Sequence, residues 1–267
     1  MFAPDVTLLG GAGLDPDAAR WIATVGQANV SQPRGRLISD TIRELKAANV
    51  WGSLDYLLVM TAENAASALV DWKSRKTATA TAAPTFTADQ GYAFNGTTQY
   101  LATAFTPSTD CVAASGTAFC LGVYERTNLN AGTFAMGALN ATAQAATIIP
   151  RAAGNSFQAA LNAAVVTLQS SIADSRGLTV AATNGTAGSG YKNGAVTALS
   201  PVTLTTPGSS LTSREVYVGC YNNNGTAATF RASTLGYAMF GAGLTAAQHL
   251  ALYTIMQRFE TKLGANV

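Results

Sequence analysis

Four Asn-Gly pairs, at 95–96, 184–185, 193–194 and 224–225, punctuate short runs in which apolar and polar residues alternate. Asn and Gly tolerate the positive φ angles that two-residue hairpin turns need at both central positions. Tyr92 to Phe94, Phe119 to Glu125, Leu178 to Ala182, Val196 to Leu199 and Val216 to Tyr221 are such runs. Their period is that of a half-buried strand. Phe230 to Phe240 closes the series, with alternation at Leu235, Tyr237 and Met239. Many short strands joined by tight turns predict an antiparallel sandwich or barrel.

Ahead of Thr77 the period is helical. Asp15-Pro16 reads as an N-cap followed by a proline at the first helical position, where its missing N–H is no loss. That helix carries Ile22 and Val25 and ends near Gln27. Ser31-Gln32-Pro33 opens a second, with Leu37, Ile38, Thr41, Ile42, Leu45 and Ala48 spaced at three and four. Trp51 to Met60 is expected to be an apolar connection with a further helical turn, and Thr61 to cap a third helix reaching Trp72. Gly241 to Thr245 caps a last helix whose stripe, Leu250, Leu252, Tyr253, Ile255, Met256 and Phe259, is broad enough to need the sandwich as a partner. Composition changes over Lys73 to Pro84, which divides the chain into an N-terminal arm and helical docking unit (1–76) and a sandwich with its closing helix (77–267). Met1 to Gly13 lacks a basic stretch followed by an apolar one, so no signal peptide is expected. No run of 18 apolar residues exists, so no membrane insertion is expected.

Charged residues make up 11% of the chain against a usual share of about 25%. The net charge of +2 is dispersed, without a Lys/Arg run, which argues against nucleic acid and anionic membranes as partners. Eight of fourteen acids precede Lys73. Beyond Thr77 stand only Asp89, Asp110, Glu125, Asp174, Glu215, Glu260 and one histidine, His249. Carboxylates and histidine carry most proton transfer and metal binding, so this region is built to present a surface, and no catalytic residue is assigned. Glycoside hydrolysis needs two facing carboxyls, about 5 Å apart for retention or about 6.5–9.5 Å for inversion. No two of the six acids lie within ten residues of each other. His249 reads as a satisfied or exposed helix residue. Cys111, Cys120 and Cys220 are odd in number and are expected free, with a bridge from Cys111 or Cys120 to Cys220 left open. Asn95, Asn140, Asn184 and Asn224 each begin a glycosylation sequon, and read more simply as turns.

Gly91-Tyr-Ala-Phe-Asn-Gly-Thr-Thr-Gln-Tyr-Leu101, the strand from Thr117 to Arg126, Tyr191-Lys-Asn-Gly-Ala195, Val216-Tyr-Val-Gly219 and Gly243-Leu-Thr-Ala-Ala-Gln248 follow one another in order. Together they resemble a laminin G-like, concanavalin A-like lectin/glucanase jelly roll over residues 85–264. Leu45-Lys46, Val50-Trp-Gly-Ser-Leu-Asp55 and Leu57-Leu58, followed by Pro84-Thr-Phe-Thr-Ala-Asp-Gln-Gly-Tyr92, resemble the helical lead-in that precedes this jelly roll in tailed-bacteriophage structural proteins.

The resemblance implies a mainly β chain: an antiparallel jelly-roll sandwich behind a small helical unit and closed by a C-terminal helix. It implies a non-enzymatic virion protein (head decoration or fibre, or tail or baseplate component) that assembles in the host cytoplasm. Its partners would be copies of itself, as in a trimer, and a capsid or tail scaffold protein. The alternative is a carbohydrate-binding adhesin recognising a host surface glycan, and the third reading a glycan hydrolase. Of the strand tyrosines, Tyr217, Tyr221 and Tyr237 are the candidate glycan platform. No cofactor is expected. Calcium is the ion common in the resembled family, and Asp110, Asp174 and Asn222-Asn223-Asn224 are the hard ligands on offer, few for a tight site.

Overall fold

Asp15 caps the first helix, α1 (Pro16–Val25), by accepting the Asp17 amide at 2.9 Å, and Ser31 caps α2 (Gln32–Ala47). One face of each helix is buried, through Trp21 and Ile22 on α1 and Ile38, Ile42 and Leu45 on α2. The computed structural model describes residues 13–197 and 199–267, so the N-terminal arm falls outside them up to residue 12.

The chain then departs from the helical reading. Leu54–Val59 is a buried strand, β1, where a connection with a helical turn was expected. Tyr56 and Leu58 face one side while Leu54, Leu57 and Val59 face the other, with a bulge between Leu54 and Tyr56 resetting the alternation. A strand covered on both faces is an unbroken apolar run, which periodicity alone cannot distinguish from a buried helix. The third helix is a single turn, α3 (Ala65–Ala68), capped by Asn64 and not by Thr61. Val70 beyond it makes a bridge to Thr77.

Short strands β2 (Thr79–Thr81), β3 (Thr85–Thr87), β4 (Gly91–Ala93) and β5 (Tyr100–Ala102) follow, then one helical turn, α4 (Pro107–Asp110). The longer strands are β6 (Ala118–Glu125), β7 (Met136–Ala141), β8 (Gln144–Ala152), β9 (Ser156–Leu161), β10 (Val166–Gln169), β11 (Gly177–Asn184) and β12 (Ala187–Lys192). After β13 (Ala195–Val196), β14 (Val202–Thr203), β15 (Tyr217–Val218), β16 (Tyr221–Asn223) and β17 (Thr226–Ala228) come β18 (Thr234–Gly241) and α5 (Ala246–Lys262). Thr245 and Gln248 form a capping box at the start of α5, as the sequence predicts.

The strands make two facing antiparallel sheets, a jelly-roll sandwich. The first runs β13-β12-β11-β6-β18-β4-β3, with β1 on β18 beside β4 and β14 on β12. The second runs β10-β9-β8-β7-β15-β5-β2, with β16 lying parallel to β7 and β17 against β16. Three Asn-Gly pairs sit in hairpins. Asn193-Gly194 and Asn224-Gly225 take positive φ at both residues (50° and 78°, 51° and 100°), and Asn184 pairs with Ala187 across the third turn. Asn95-Gly96 instead carries the chain from β4 in the first sheet to β5 in the second. Asn95 Oδ1 accepts the amides of Thr97, Thr98 and Gln99 there, which shapes the crossing.

Between the sheets lie Phe119, Leu121, Val123 and Phe240 on one side and Met136, Ile148, Phe157 and Leu168 on the other. The alternate residues of the first sheet, among them Cys120, Tyr124, Val180, Tyr237 and Met239, face outward and are covered by Trp21, Ile42, Leu252, Met256 and Phe259 of α1, α2 and α5. The molecule is thus three layers: helices, sheet, sheet. The boundary expected at 76/77 is crossed by the ladder between β1 and β18, where Tyr56 pairs with Phe240 and Leu58 with Ala238. Cys111, Cys120 and Cys220 are all free thiols.

Candidate functional site

Among the described residues, no helix layer lies over the outer face of the second sheet. Its inward residues are fixed by the core, so strand alternation assigns the outward ones. They form a row in register: Ala102 of β5 beside Tyr217, Tyr217 beside Gly137 of β7, Gly137 beside Thr147 of β8 and Thr147 beside Ala160 of β9. The centre of the row is therefore small and its flanks aromatic. Tyr217 packs against Tyr100 with ring centroids 4.6 Å apart, and Phe230 follows at 6.1 Å from Tyr100. Tyr221 packs against Phe134 at 4.5 Å. All five rings are half-buried. Beside the Phe134–Tyr221 pair lies a groove of about 270 Å³, with Ala145, Thr147 and Ala160 in its lining and Val165 beyond them.

Two of the three tyrosines expected as a glycan platform, Tyr217 and Tyr221, stand on this face. Tyr237 does not. It is fully buried, its ring stacked on Tyr124 at 4.9 Å under the helices, and burial pushes its phenol well above the ordinary value. Alternation along β18 shows that half its residues face away from the sandwich core. It does not show that a helical layer covers them. Phe134 and Phe230 read as ordinary strand residues in the sequence; both lie just outside the strands that begin at Met136 and Thr234, so alternation does not assign them to a face. The available signal was the run of small outward residues on β8 and β9, alternating with Ile148 and Leu161 inward.

Every described carboxylate beyond Thr77 is held by donors of its own. Glu125 and Arg231 are both fully buried and paired through two hydrogen bonds of 2.6 and 2.9 Å. The same guanidinium donates to the carbonyls of Leu129, Ala131 and Thr133, fastening that loop to β6. Asp89 pairs with Arg34 and Asp174 with Arg176, each at 2.7 Å. Asp110 accepts from the Thr106 amide at 2.6 Å and meets Lys76 at 3.0 Å. Glu215 accepts the Ala104 amide. Glu260 accepts the Thr61 hydroxyl at 2.7 Å, while its second oxygen is buried without a partner. Burial pushes this carboxyl up to about 8, against the pull of Arg126 and Arg34.

Most of the residues considered for calcium are likewise engaged. Asp110 and Asp174 have the partners just given, and the Asn222 side chain donates to the Glu215 carbonyl and accepts from the Gly225 amide. Among the described residues no three of His, Cys, Asp or Glu gather as a metal site. His249, expected to be hydrogen-bonded or exposed, is neither. It is 1% exposed, its ring lies on Tyr191 at 3.7 Å, and neither ring nitrogen has a partner. Burial lowers its pKa to about 3, so the imidazole is neutral.

No family model matches the chain, and no curated protein matches it. Solved structures do. The Trypanosoma rangeli sialidase in complex with sialic acid aligns at a TM-score of 0.53 and 13% identity, over 84% of this chain and 39% of that one. The same sialidase with a difluoro-KDN ligand aligns at 0.53 over 85% and 40%. Domain 4 of AbnA, a GH43 extracellular arabinanase from Geobacillus stearothermophilus, in complex with arabinotriose, aligns at 0.49 and 13% identity, over 75% of this chain and 98% of that domain. The chain spans about two-fifths of the sialidase's length. At these identities the likeness is one of fold, a β-sandwich.

Proposed function

We propose that this chain acts by binding and not by turnover, as a lectin-like sandwich presented on the particle of a tailed bacteriophage. The observation that carries the binding part is the unequal treatment of the two sheets. Helices cover most of the first, whereas the second carries no helix layer over its outer face, where five half-buried aromatics flank a row of small residues tucked low between them, Thr147 at 3% and Ala160 at 5% exposure. Engagement of the acids beyond Thr77 by structural donors supports a non-enzymatic role, because a general acid and its partner both need access to substrate. The phage setting is supported by the lead-in motif at Leu45–Leu58 and the low charge of the sandwich. The helical layer then faces a capsid or tail scaffold, with copies of the chain arranged as a homo-oligomer.

The adhesin reading makes the exposed face a site for a host surface glycan. Aromatic rings with one apolar face and a wet edge suit such contacts, and the sialidase that shares the fold was solved in complex with sialic acid. Electron microscopy of purified particles tests the setting: density for the sandwich at head or tail supports it, and its absence from particles overturns it. A glycan array tests the face. Binding weakened by Tyr217→Ala supports the adhesin, and flat signals at high protein concentration overturn it.

A further inference from the structure

The open face also carries information about what can lie on it. Among the outward residues of β5, β7, β9, β10 and β15 none is charged. On β8 the one candidate, Arg151, is turned aside. Its guanidinium donates to Asn128 at 2.8 Å and to Asn155 at 2.6 Å, at the β8–β9 turn. An anionic ligand laid across this sheet would lose water without gaining a cation, a severe penalty for a carboxylate.

The groove adds shape. Its floor is Ala145, Thr147 and Ala160, its wall the Phe134–Tyr221 pair, and its far lip Val165, which is 48% exposed. At about 270 Å³ it is slightly smaller than most ligand pockets, roughly 300–1,000 Å³. That volume suits one sugar ring, with the rest of a chain running out over the row toward Tyr217. Thr142, at the exposed β7–β8 turn, places a hydroxyl at the mouth. A flat protein partner is poorly served, since a stable contact needs about 800 Å² per side and the recessed floor would stay unfilled.

We infer that this groove takes an uncharged hexose unit of a longer glycan, with the sugar's apolar face against Phe134 and Tyr221. The inference rests on the glycan-binding reading and narrows it to neutral saccharides at one place. The test is titration calorimetry of the full chain with neutral hexose oligomers (gluco-, manno- and galacto-) and with sialylated and uronate oligomers. Phe134→Ala should weaken binding of a neutral oligomer at least tenfold. Val165→Trp, at an exposed position that tolerates a large side chain, should block the mouth to the same extent with an unchanged melting curve. Tyr237→Phe, buried on the other sheet, should bind as the parent does. Binding confined to acidic oligomers would overturn the inference and leave the glycan reading standing. Neutral binding that survives Val165→Trp would overturn the location. No binding in either series would overturn the inference together with the glycan reading.

Discussion

Replacing Glu260 by glutamine should stabilise this protein, and increasingly so as the pH rises. Glu260 is fully buried on α5. One oxygen accepts from Thr61, the other has no partner, and burial lifts the carboxyl from 4.5 to about 8. The native state therefore keeps a proton that the unfolded chain releases. A raised carboxyl pKa contributes no penalty below about pH 4.5. The penalty grows through the interval up to about 8 and is constant above it. At about 1.4 kcal/mol per pH unit, with the curve flattening near each pKa, the loss between pH 5 and pH 8 is about 3–4 kcal/mol. Glutamine has the neutral acid's shape, keeps an acceptor for Thr61 and cannot ionise. Wild type and variant should match within about 1 kcal/mol at pH 5 and differ by about 4 kcal/mol at pH 8. For a chain of this size that is about 8–16 °C in Tm. Urea midpoints of both proteins at pH 5, 6, 7 and 8 make the comparison. A difference that is flat across the series, or a variant less stable at pH 8, would show that Glu260 is ionised and compensated by Arg126, and the reasoning would fail.

His249 gives the opposite slope. Its pKa falls from 6.5 to about 3, so stability drops as the pH falls below 6.5, and His249→Phe, which keeps a ring on Tyr191, should flatten melting curves between pH 4 and 6. Arg231→Met leaves Glu125 buried and unpaired and should cost about 3–5 kcal/mol in denaturant titration, most of it regained when Glu125→Leu is added. Tyr237→Phe removes a buried hydroxyl that has no partner, so its thermal midpoint should be unchanged or higher, and a clear drop would mean the hydroxyl is satisfied. Gly194→Ala strains a turn residue at φ 78° whose added Cβ would lie 2.9 Å from Leu250 Cα, and should lower stability by about 1 kcal/mol or more.

The strands of the sandwich and the last helix were legible because their signals are local: turn residues with positive φ, alternation, a capping box. β1 was not. Covered by a helix layer on one side and a sheet on the other, Leu54–Val59 has no polar face to betray its period. The same covering layer explains Tyr237 and His249, whose neighbours come from elements far away in the chain. Thr61 looked like a cap because threonine before an alanine-rich run usually is one. In the fold its hydroxyl serves a carboxylate 199 residues later. Of the open face, Tyr217 and Tyr221 could be named from strand position, but Phe134 and the groove floor required the register of β7, β8 and β9 to be known.

The ladder between β1 and β18 has a consequence for how the molecule is made. Tyr56 and Leu58 meet partners at Phe240 and Ala238, so this seam can be stitched only after nearly all of the chain has emerged from the ribosome. Until then an apolar segment must wait unpaired, while the hairpins of the second sheet are free to form as they appear. Biogenesis should accordingly end with a slow, non-local closure, and ribosome stalling upstream of β18 should yield nascent chains bound by chaperones.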